Sequence, residues 1–341
     1  MSLPNALSLT ERLRYRSLWK NLRSDFEGEL ERLETGLRES AKGSRAPVPQ
    51  AALQLIEAGG KRVRPLLAWL CCSAIGARAQ YADPIALAAE LTHTATLLHD
   101  DVIDDAAQRR GMPAPRILHG NRISVLAGDF LLTRAMEAAL KTSREEILRS
   151  YNRCLQDMVE GEVVQEEWLF RPDVPEAIYR QIVDCKTAAL FAWAAEAGAV
   201  MGGADEKTAK ALRAFGRGAG VAFQILDDWL DWVGEGAHVG KAVRSDLKEG
   251  KPSLAVIYAC EMSPAARKWF EANVRRDAPP PSEEEIARLA GELVQCGALD
   301  RVRTALETET AAAIASLEAL SDTAARARLV RFAKLLLARD K

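Results

Sequence analysis

The stretches HTATLLHDDVIDD (93–105) and FQILDDWLD (223–231) decide how this chain folds. In the first, Asp100 and Asp104 lie four residues apart among apolar residues, a spacing that puts both side chains on one face of an α-helix. The second stretch repeats the pattern. The sequence therefore predicts two helices with core-like flanks that each carry a row of carboxylates.

These carboxylate rows are costly unless cations balance them. Asp101 and Asp105 repeat the spacing of the first row, and Asp228 lies beside Asp227 and Asp231 in the second. Two carboxylates about 6 Å apart repel by roughly 3 kcal/mol at an effective dielectric near 20. Mg²⁺ removes this cost and keeps positions open for water and substrate phosphate. One row alone would be interpreted as a solvated acidic face, but two rows of one pattern in apolar helices favour Mg²⁺ sites.

The composition predicts an all-helical protein with no nucleic-acid partner. Hydrophobic residues make up 48% of the 341 residues, aromatic residues only 6%, and the net charge is −2. The six cysteines form no C-x-x-C pair, which disfavours a zinc site. We expect them to be reduced thiols. No signal-peptide core is evident, and the longest apolar stretch (188–204) is interrupted by Glu196. We therefore predict a cytoplasmic protein without a transmembrane segment, and a single domain over residues 1–341.

Helical periodicity runs through the chain, and no series of alternating strands interrupts it. Breaks are predicted at Gly59-Gly60 and at Pro279-Pro280-Pro281. Ser282 and Glu285 have the spacing of a capping box at the start of the next helix. Besides a charged first helical segment (13–33), helices are predicted over 53–75, 85–105, 124–140, 144–168, 178–201, 207–232, 254–260, 283–296 and 298–320.

Basic clusters accompany the aspartates. The run GGKRVRP (59–65) combines glycines with lysine and arginine, which can approach and clamp phosphate oxygens. Arg109 and Arg110 follow the first aspartates by one to two helical turns, and further charges occur at Lys186 and in DLKEGK (246–251). The pattern favours a diphosphate held between two Mg²⁺-binding rows and these cations.

Seven motifs resemble the trans-isoprenyl diphosphate synthase family, in that family's order and across most of the chain. They are GGKRVRP (59–65), HTATLLHDDVIDDAAQRRG (93–111), GDFLL (128–132), GEVVQ (161–165), KTAALF (186–191), FQILDDWLD (223–231) and DLKEGKPSL (246–254). The phrase HTATLLHDD is most similar to the long-chain branch, including octaprenyl diphosphate synthases. The resemblance implies an all-α fold, an isoprenoid-synthase-type bundle of packed helices around a central cavity, and a homodimer.

The same resemblance implies a Mg²⁺-dependent prenyltransferase that condenses isopentenyl diphosphate with an allylic diphosphate primer. The implied metal ligands are Asp100, Asp101, Asp104, Asp227, Asp228 and Asp231. The implied diphosphate ligands are Arg109, Lys186 and Lys241 for the allylic substrate, and Lys61, Arg64, His93 and Arg110 for isopentenyl diphosphate. Thr187 and Gln224 would face the allylic cation and, with Lys186 and Arg109, form the catalytic set. Lys241 is the least typical ligand, because Arg244 replaces a family glycine in its loop.

Product length in this family depends on the residues just before the first aspartate. Short-chain members often carry an aromatic residue where this chain has Ala95 and Thr96, and Ala88, Ala89 and Thr92 add little bulk nearby. Small residues would let the growing tail pass and predict a long-chain product, although close helix packing would select the same residues. An apolar product also suggests transient membrane contact at its release.

Three alternatives stay open at this point. They are a short-chain (farnesyl or geranylgeranyl) diphosphate synthase, one subunit of a heteromeric synthase, and a class I terpene cyclase. The cyclase is disfavoured because the second motif repeats Asp-Asp-x-x-Asp, whereas cyclases usually mix Asp or Asn with Ser, Thr and Glu there.

Overall fold

The structure is a computed structural model that describes residues 9–233, 245–320 and 324–337. The first eight α-helices are α1 (Leu9–Ser24), α2 (Glu27–Ser40), α3 (Val48–Glu57), α4 (Val63–Ala74), α5 (Asp83–Ile103), α6 (Pro115–His119), α7 (Asn121–Leu140) and α8 (Glu145–Glu167). The others are α9 (Glu176–Val183), α10 (Ala189–Met201), α11 (Glu206–Val233), α12 (Ser245–Lys248), α13 (Leu254–Met262), α14 (Pro264–Asn273), α15 (Glu283–Gln295), α16 (Ala298–Ala315) and α17 (Ala324–Leu337). The all-α prediction is confirmed.

Short irregular elements join these helices. Strands β1 (Gln108–Arg109) and β2 (Met112–Pro113) pair antiparallel and are the only strands among the described residues. A π-helical turn, Asp184–Ala188, separates α9 from α10, so the predicted helix over 178–201 is interrupted. The capping box at Ser282 is confirmed, since its hydroxyl and the Glu285 carboxylate satisfy each other's backbone N–H groups.

The single helix predicted over 53–75 is wrong, whereas the turn predicted within it is confirmed. Helix α3 ends at Glu57 and α4 begins at Val63. Gly59 (φ +75°) and Arg62 (φ +52°) adopt left-handed backbone conformations that no helix can continue through. The break leaves the basic run 59–65, called the basic loop from here on, at the N-terminal end of α4, where the helix dipole favours anions.

Helix α11 connects two hydrophobic clusters. Its first half contributes Leu212 and Phe215 to a cluster built mainly from α4, α5, α7 and α10. Its second half contributes Ile225 and Leu226 to a cluster with α13, α15 and α16. The helix that carries the second aspartate row is therefore anchored along its whole length. A single domain over residues 1–341 stays a prediction.

The apolar stretch 188–204 forms a tightly packed core helix, as predicted. At Gly198, an added Cβ would collide with the backbone of Ala68, so glycine lets α10 lie directly against α4. None of the described helices is long and apolar enough to cross a membrane.

Candidate active site

The first aspartate row begins on α5 and ends at its C-terminus. Asp104 is the C-terminal capping residue of α5, so Asp100 and Asp104 share a face as the spacing predicts. Asp105 has left the helix, with φ +50°. Its side chain is 81% exposed and pairs with Arg116 at 2.6 Å. The expectation that Asp105 continues the row on the face of Asp101 is therefore wrong.

Two cations contact the first row directly. The fully buried Asp101 accepts a hydrogen bond from Arg109 Nε at 2.7 Å. Lys251 Nζ lies 2.7 Å from Asp104 Oδ2 and 2.7 Å from Glu249 Oε2. Burial by itself lowers the pKa of Lys251, but Asp104, Glu249 and Asp246 outweigh it, and the net effect raises that pKa. Lys251 is therefore a fixed positive charge beside the first row.

The second row places one carboxylate inside the protein. Asp228 is 4% exposed and accepts hydrogen bonds from Tyr179 Oη at 2.8 Å and from Gln224 Nε2 at 3.0 Å. Burial, with added repulsion from Asp246 and Asp227, raises the pKa of Asp228 to about 8 despite those two bonds. Among the described residues, no cation is one of the main influences on this carboxyl, whose ionised form needs one.

The two rows belong to one region of the molecule. Asp246 acts electrostatically both on Lys251, which contacts the first row, and on Asp228 in the second. Arg64, from the basic loop, is influenced by Asp227. The tertiary fold thus brings together both rows and the cations that the sequence predicted to accompany them.

Arg110 lies in the turn that joins β1 to β2. Arg110 and Gly111 both have positive φ, as a two-residue hairpin turn of type I′ requires. The Arg110 guanidinium donates to the backbone oxygen of Gly59, which ties the hairpin to the basic loop. Burial is the main cause that lowers the pKa of Arg110.

His93 and Arg64 lie in the same concentration of positive charge. Burial, then the nearby arginines with Arg64 and Arg110 foremost, holds the pKa of His93 well below its ordinary value, so the ring is neutral at pH 7. Arg64 stacks over the ring of Phe191, 4.7 Å from its centroid. Burial lowers the pKa of Arg64 to about 10, and its Nε has no hydrogen-bond partner among the residues that the structure describes. Such a group is suited to an anionic ligand.

Lys186 and Thr187 lie on the π-helical turn between α9 and α10. Such turns often occur at functional sites, since they redirect side chains within a helix. Lys186 forms an ion pair with Glu162 on α8. Thr187 Oγ1 donates to Gln224 Oε1 at 3.0 Å, and Gln224 in turn donates to Asp228. A hydrogen-bonded chain therefore links the turn to the second aspartate row.

Two glycines allow neighbouring helices to approach this turn. An added Cβ at Gly161 on α8 would lie 2.7 Å from the backbone nitrogen of Lys186. At Gly220 on α11 it would lie 2.7 Å from Cα of Ala188. Real Cβ atoms essentially never approach this closely, so glycine lets both helices lie this near the turn, and any larger residue would force the segments apart.

The predicted chain-length residues lie within the packed part of α5. Ala88, Ala89, Thr92 and Ala95 are completely buried. The Thr92 hydroxyl is 2.6 Å from Tyr151 Oη, and the Thr96 hydroxyl donates to the backbone of His93 at 2.9 Å. Both the tail passage and the close-packing interpretations are compatible with these contacts.

Some candidate site residues could not be predicted from the sequence. The sequence shows Lys251 and Asp246 only as charges in DLKEGK, whereas the structure shows that they connect the two rows. Tyr179 had no motif that could reveal its bond to Asp228, and Glu162 lay unassigned within GEVVQ. Lys241, predicted as a diphosphate ligand, lies outside the residues that the structure describes.

The carboxylate donors fit Mg²⁺ bound jointly with substrate. In the described ranges no three His, Cys, Asp or Glu side chains form a ready-made metal site. Protein Mg²⁺ sites commonly use one or two carboxylates and complete their shell with water and substrate phosphate. The raised pKa of Asp228 and the cation held by Asp104 both indicate that these carboxylates need positive charge.

Most of the chain matches known proteins in sequence. The family model described as polyprenyl synthetase matches residues 46–293. The chain is 35% identical to the octaprenyl diphosphate synthase of Escherichia coli over 299 residues, which is 86% of this chain and 90% of that protein. It is 36% identical to the short chain isoprenyl diphosphate synthase of Methanothermobacter thermautotrophicus over 300 residues, 85% of this chain and 90% of that one.

Among solved structures, the chain is similar to a polyprenyl synthase from Caulobacter crescentus in complex with calcium and isoprenyl diphosphate. The TM-score is 0.89 at 34% identity, covering 95% of this chain and 98% of the other. The likeness extends over nearly the whole of both chains.

Proposed function

The chain belongs to the polyprenyl synthetase family, and on that premise we propose that it condenses isopentenyl diphosphate with an allylic diphosphate to make a long-chain polyprenyl diphosphate. It is a chain-elongating trans-prenyltransferase. One observation carries the proposal for this site. The two aspartate rows are linked through Asp246 and Lys251, and they lie beside a group of partly desolvated arginines.

The residues divide into groups with different tasks. Arg109, Lys186 and Lys241 bind the allylic diphosphate, and Lys61, Arg64, His93 and Arg110 bind isopentenyl diphosphate. Asp100, Asp104, Asp227 and Asp231 would hold Mg²⁺, with Asp101 and Asp228 in support. Mg²⁺, when bound, neutralises the leaving diphosphate as its C–O bond breaks.

Breaking this C–O bond forms an allylic cation, which the site has to stabilise and orient but which needs no protein base. The oxygens of Thr187 and Gln224 face the allylic cation and stabilise its charge. The double bond of isopentenyl diphosphate attacks this cation, and the new C–C bond leaves a cation one isoprene unit longer. Loss of a proton to the departing diphosphate restores a double bond, so the reaction balances without a protein base.

A long-chain product is favoured over a short-chain one. Sequence identity does not rank the two product classes, since an octaprenyl and a short-chain relative match equally well. The small side chains of Ala88, Ala89, Thr92 and Ala95 on α5 support the longer product, although Tyr151 of α8 lies against Thr92.

We also propose a homodimer formed through α6 and α7. Ile117, Leu118, Val125 and Leu126 are all large apolar residues that are 39–59% exposed on these helices. Adjacent exposed apolar side chains are typical of protein interfaces. Leu126→Glu is expected to convert the dimer to a monomer in sedimentation velocity, while Met262→Glu on α13 leaves it dimeric. Monomeric wild-type protein would exclude the homodimer.

We also propose that the protein is cytoplasmic and that its metal is Mg²⁺. It would contact the membrane only transiently, when the apolar product leaves. Fractionation of cells that express the protein tests the location, since recovery in the soluble fraction is expected. Recovery with the membrane fraction after a high-salt wash would contradict it.

The deciding assay uses purified protein, Mg²⁺, labelled isopentenyl diphosphate and primers of several lengths, with products sized by chromatography. Incorporation that stops on chelation and returns with Mg²⁺ is expected. Asp104→Asn should abolish incorporation. Asp105→Asn is the control and should retain incorporation, because the Asp105 side chain belongs to the same run but is 81% exposed. No incorporation by wild-type protein would favour a heteromeric subunit, and cyclic hydrocarbon products would favour a cyclase.

A further inference from the structure

Arg62, in the basic loop, is turned into the protein, where its guanidinium pairs with two carboxylates. Its residue is 3% exposed, and its backbone is left-handed at φ +52°. The guanidinium donates from Nε and Nη2 to the two carboxylate oxygens of Glu34, at 2.8 and 3.1 Å. Nη1 donates to Glu90 at 2.7 Å, and Nη2 also donates to the backbone oxygen of Ile56 at 3.1 Å. Four of the five N–H groups of the guanidinium therefore donate hydrogen bonds.

These contacts join three separate elements. Glu34 lies on α2, Ile56 on α3, and Glu90 on α5, one turn before His93. Glu90 is itself 3% exposed, so the pair with Arg62 is shielded from water. A further tie comes from Arg23 on α1, whose guanidinium donates to the backbone oxygen of Lys61 at 2.9 Å. The loop is held from several sides by residues that occupy no diphosphate ligand position.

We propose that Arg62, clamped by Glu34 and Glu90, is the positioning residue for the isopentenyl diphosphate site. Arg62 does not touch substrate. It fixes the backbone between Lys61 and Arg64, so that both cations are held ready for the diphosphate. The inference rests on the proposed function, since it assumes that this loop binds isopentenyl diphosphate.

Two physical arguments favour positioning over simple stabilisation. A left-handed backbone at a non-glycine residue persists only where surrounding contacts enforce it, and here the fork supplies them. Buried ion pairs contribute little net stability compared with apolar residues of similar volume, yet they define one arrangement of the groups they join. Glu90 also offsets the burial that lowers the pKa of Arg64 and Arg110, so its carboxylate serves the neighbouring cations as well.

The test compares three variants by steady-state kinetics and thermal unfolding. Arg62→Lys retains the charge but cannot form the planar fork, and Glu34→Gln weakens only the less buried partner. The third variant combines Arg62→Met with Glu34→Leu and Glu90→Leu. We expect Arg62→Lys to raise the KM for isopentenyl diphosphate by about tenfold to 100-fold, the order of loss that a displacement near 1 Å causes. The KM for the allylic primer should stay within about twofold.

The triple variant separates positioning from stability. It is expected to unfold near the wild-type temperature, because apolar residues can replace a buried ion triad, while its KM for isopentenyl diphosphate stays raised. Leu289→Ala on α15, in the other hydrophobic cluster, is the control for destabilisation alone and should change neither KM. If Arg62→Lys is too unstable to assay, the fork is essential to folding, and Glu34→Gln then decides by its smaller, selective rise in the KM for isopentenyl diphosphate.

Three results would overturn the inference. One is an equal rise of both KM values in Arg62→Lys or Glu34→Gln. Another is a triple variant in which the KM for isopentenyl diphosphate returns to the wild-type value together with stability. The third is wild-type kinetics in all variants. The proposed function fails separately, if the wild-type enzyme does not condense the two substrates at all.

Discussion

The close approach of α8 to the π-helical turn makes Gly161→Ala a sharp perturbation of the site. The added Cβ would lie 2.7 Å from the backbone nitrogen of Lys186 and 2.8 Å from Cβ of Cys185. Ordinary van der Waals contact begins at 3.4 Å, so the two segments must separate by about 0.7 Å. Neither neighbouring atom is the flexible end of a side chain, and the turn itself has to move.

The size of the effect follows from that displacement. A shift near 1 Å at a reacting group can lower turnover by about 100-fold, so we expect kcat/KM to fall by about 10- to 100-fold. Alanine favours the helix over glycine by about 1 kcal/mol, whereas overpacking costs about 1–3 kcal/mol. The free energy of unfolding should therefore fall by no more than about 2 kcal/mol, which leaves the protein folded.

Initial rates of labelled isopentenyl diphosphate incorporation, with thermal unfolding of the same samples, measure both effects. Gly291→Ala is the matched control, because an added Cβ there, also inside a helix, meets nothing within 4 Å. It should raise the free energy of unfolding by about 0.4–1 kcal/mol and leave the rate unchanged. Wild-type kcat/KM in Gly161→Ala would refute the idea that this contact positions Lys186.

Further substitutions probe the rest of the site. Ala95→Phe adds bulk to a fully buried position and should shorten the product; unchanged chain length on chromatography would exclude α5 as the limiting wall. Thr187→Val removes the donor to Gln224 and should lower kcat about tenfold, the equivalent of one hydrogen bond, in steady-state assays; an unaltered kcat would leave that hydroxyl without a catalytic role. The pKa of Asp228 is about 8 in the folded protein and near 4 when unfolded, so between these values the folded state alone holds the proton. Stability of the metal-free protein should then fall as pH rises from about 4 to about 8, and thermal unfolding in chelator should show a shallower fall for Asp228→Asn; equal slopes would contradict this.

The carboxylate rows and the helical class could be predicted from the sequence because both are local properties. A four-residue spacing places Asp100 with Asp104 on one helix face whatever surrounds them, and low aromatic content with apolar periodicity is typical of helices. The capping box at Ser282 was predictable for the same reason, since its partners are three residues apart. Local rules failed where a turn intervened, as at Asp105 and in the predicted helix over 53–75.

Contacts between distant segments were decided only by the tertiary structure. Lys251 and Asp104 are separated by 147 residues, and no periodicity relates them. From the sequence alone, Arg62 looks like one more phosphate-binding cation in GGKRVRP. In the structure, its left-handed backbone and its ion pairs with carboxylates of α2 and α5 direct its side chain into the core. Side-chain spacing determines which residues share a face of one helix, whereas the packing of helices against each other determines which of those faces meet and which charges become buried.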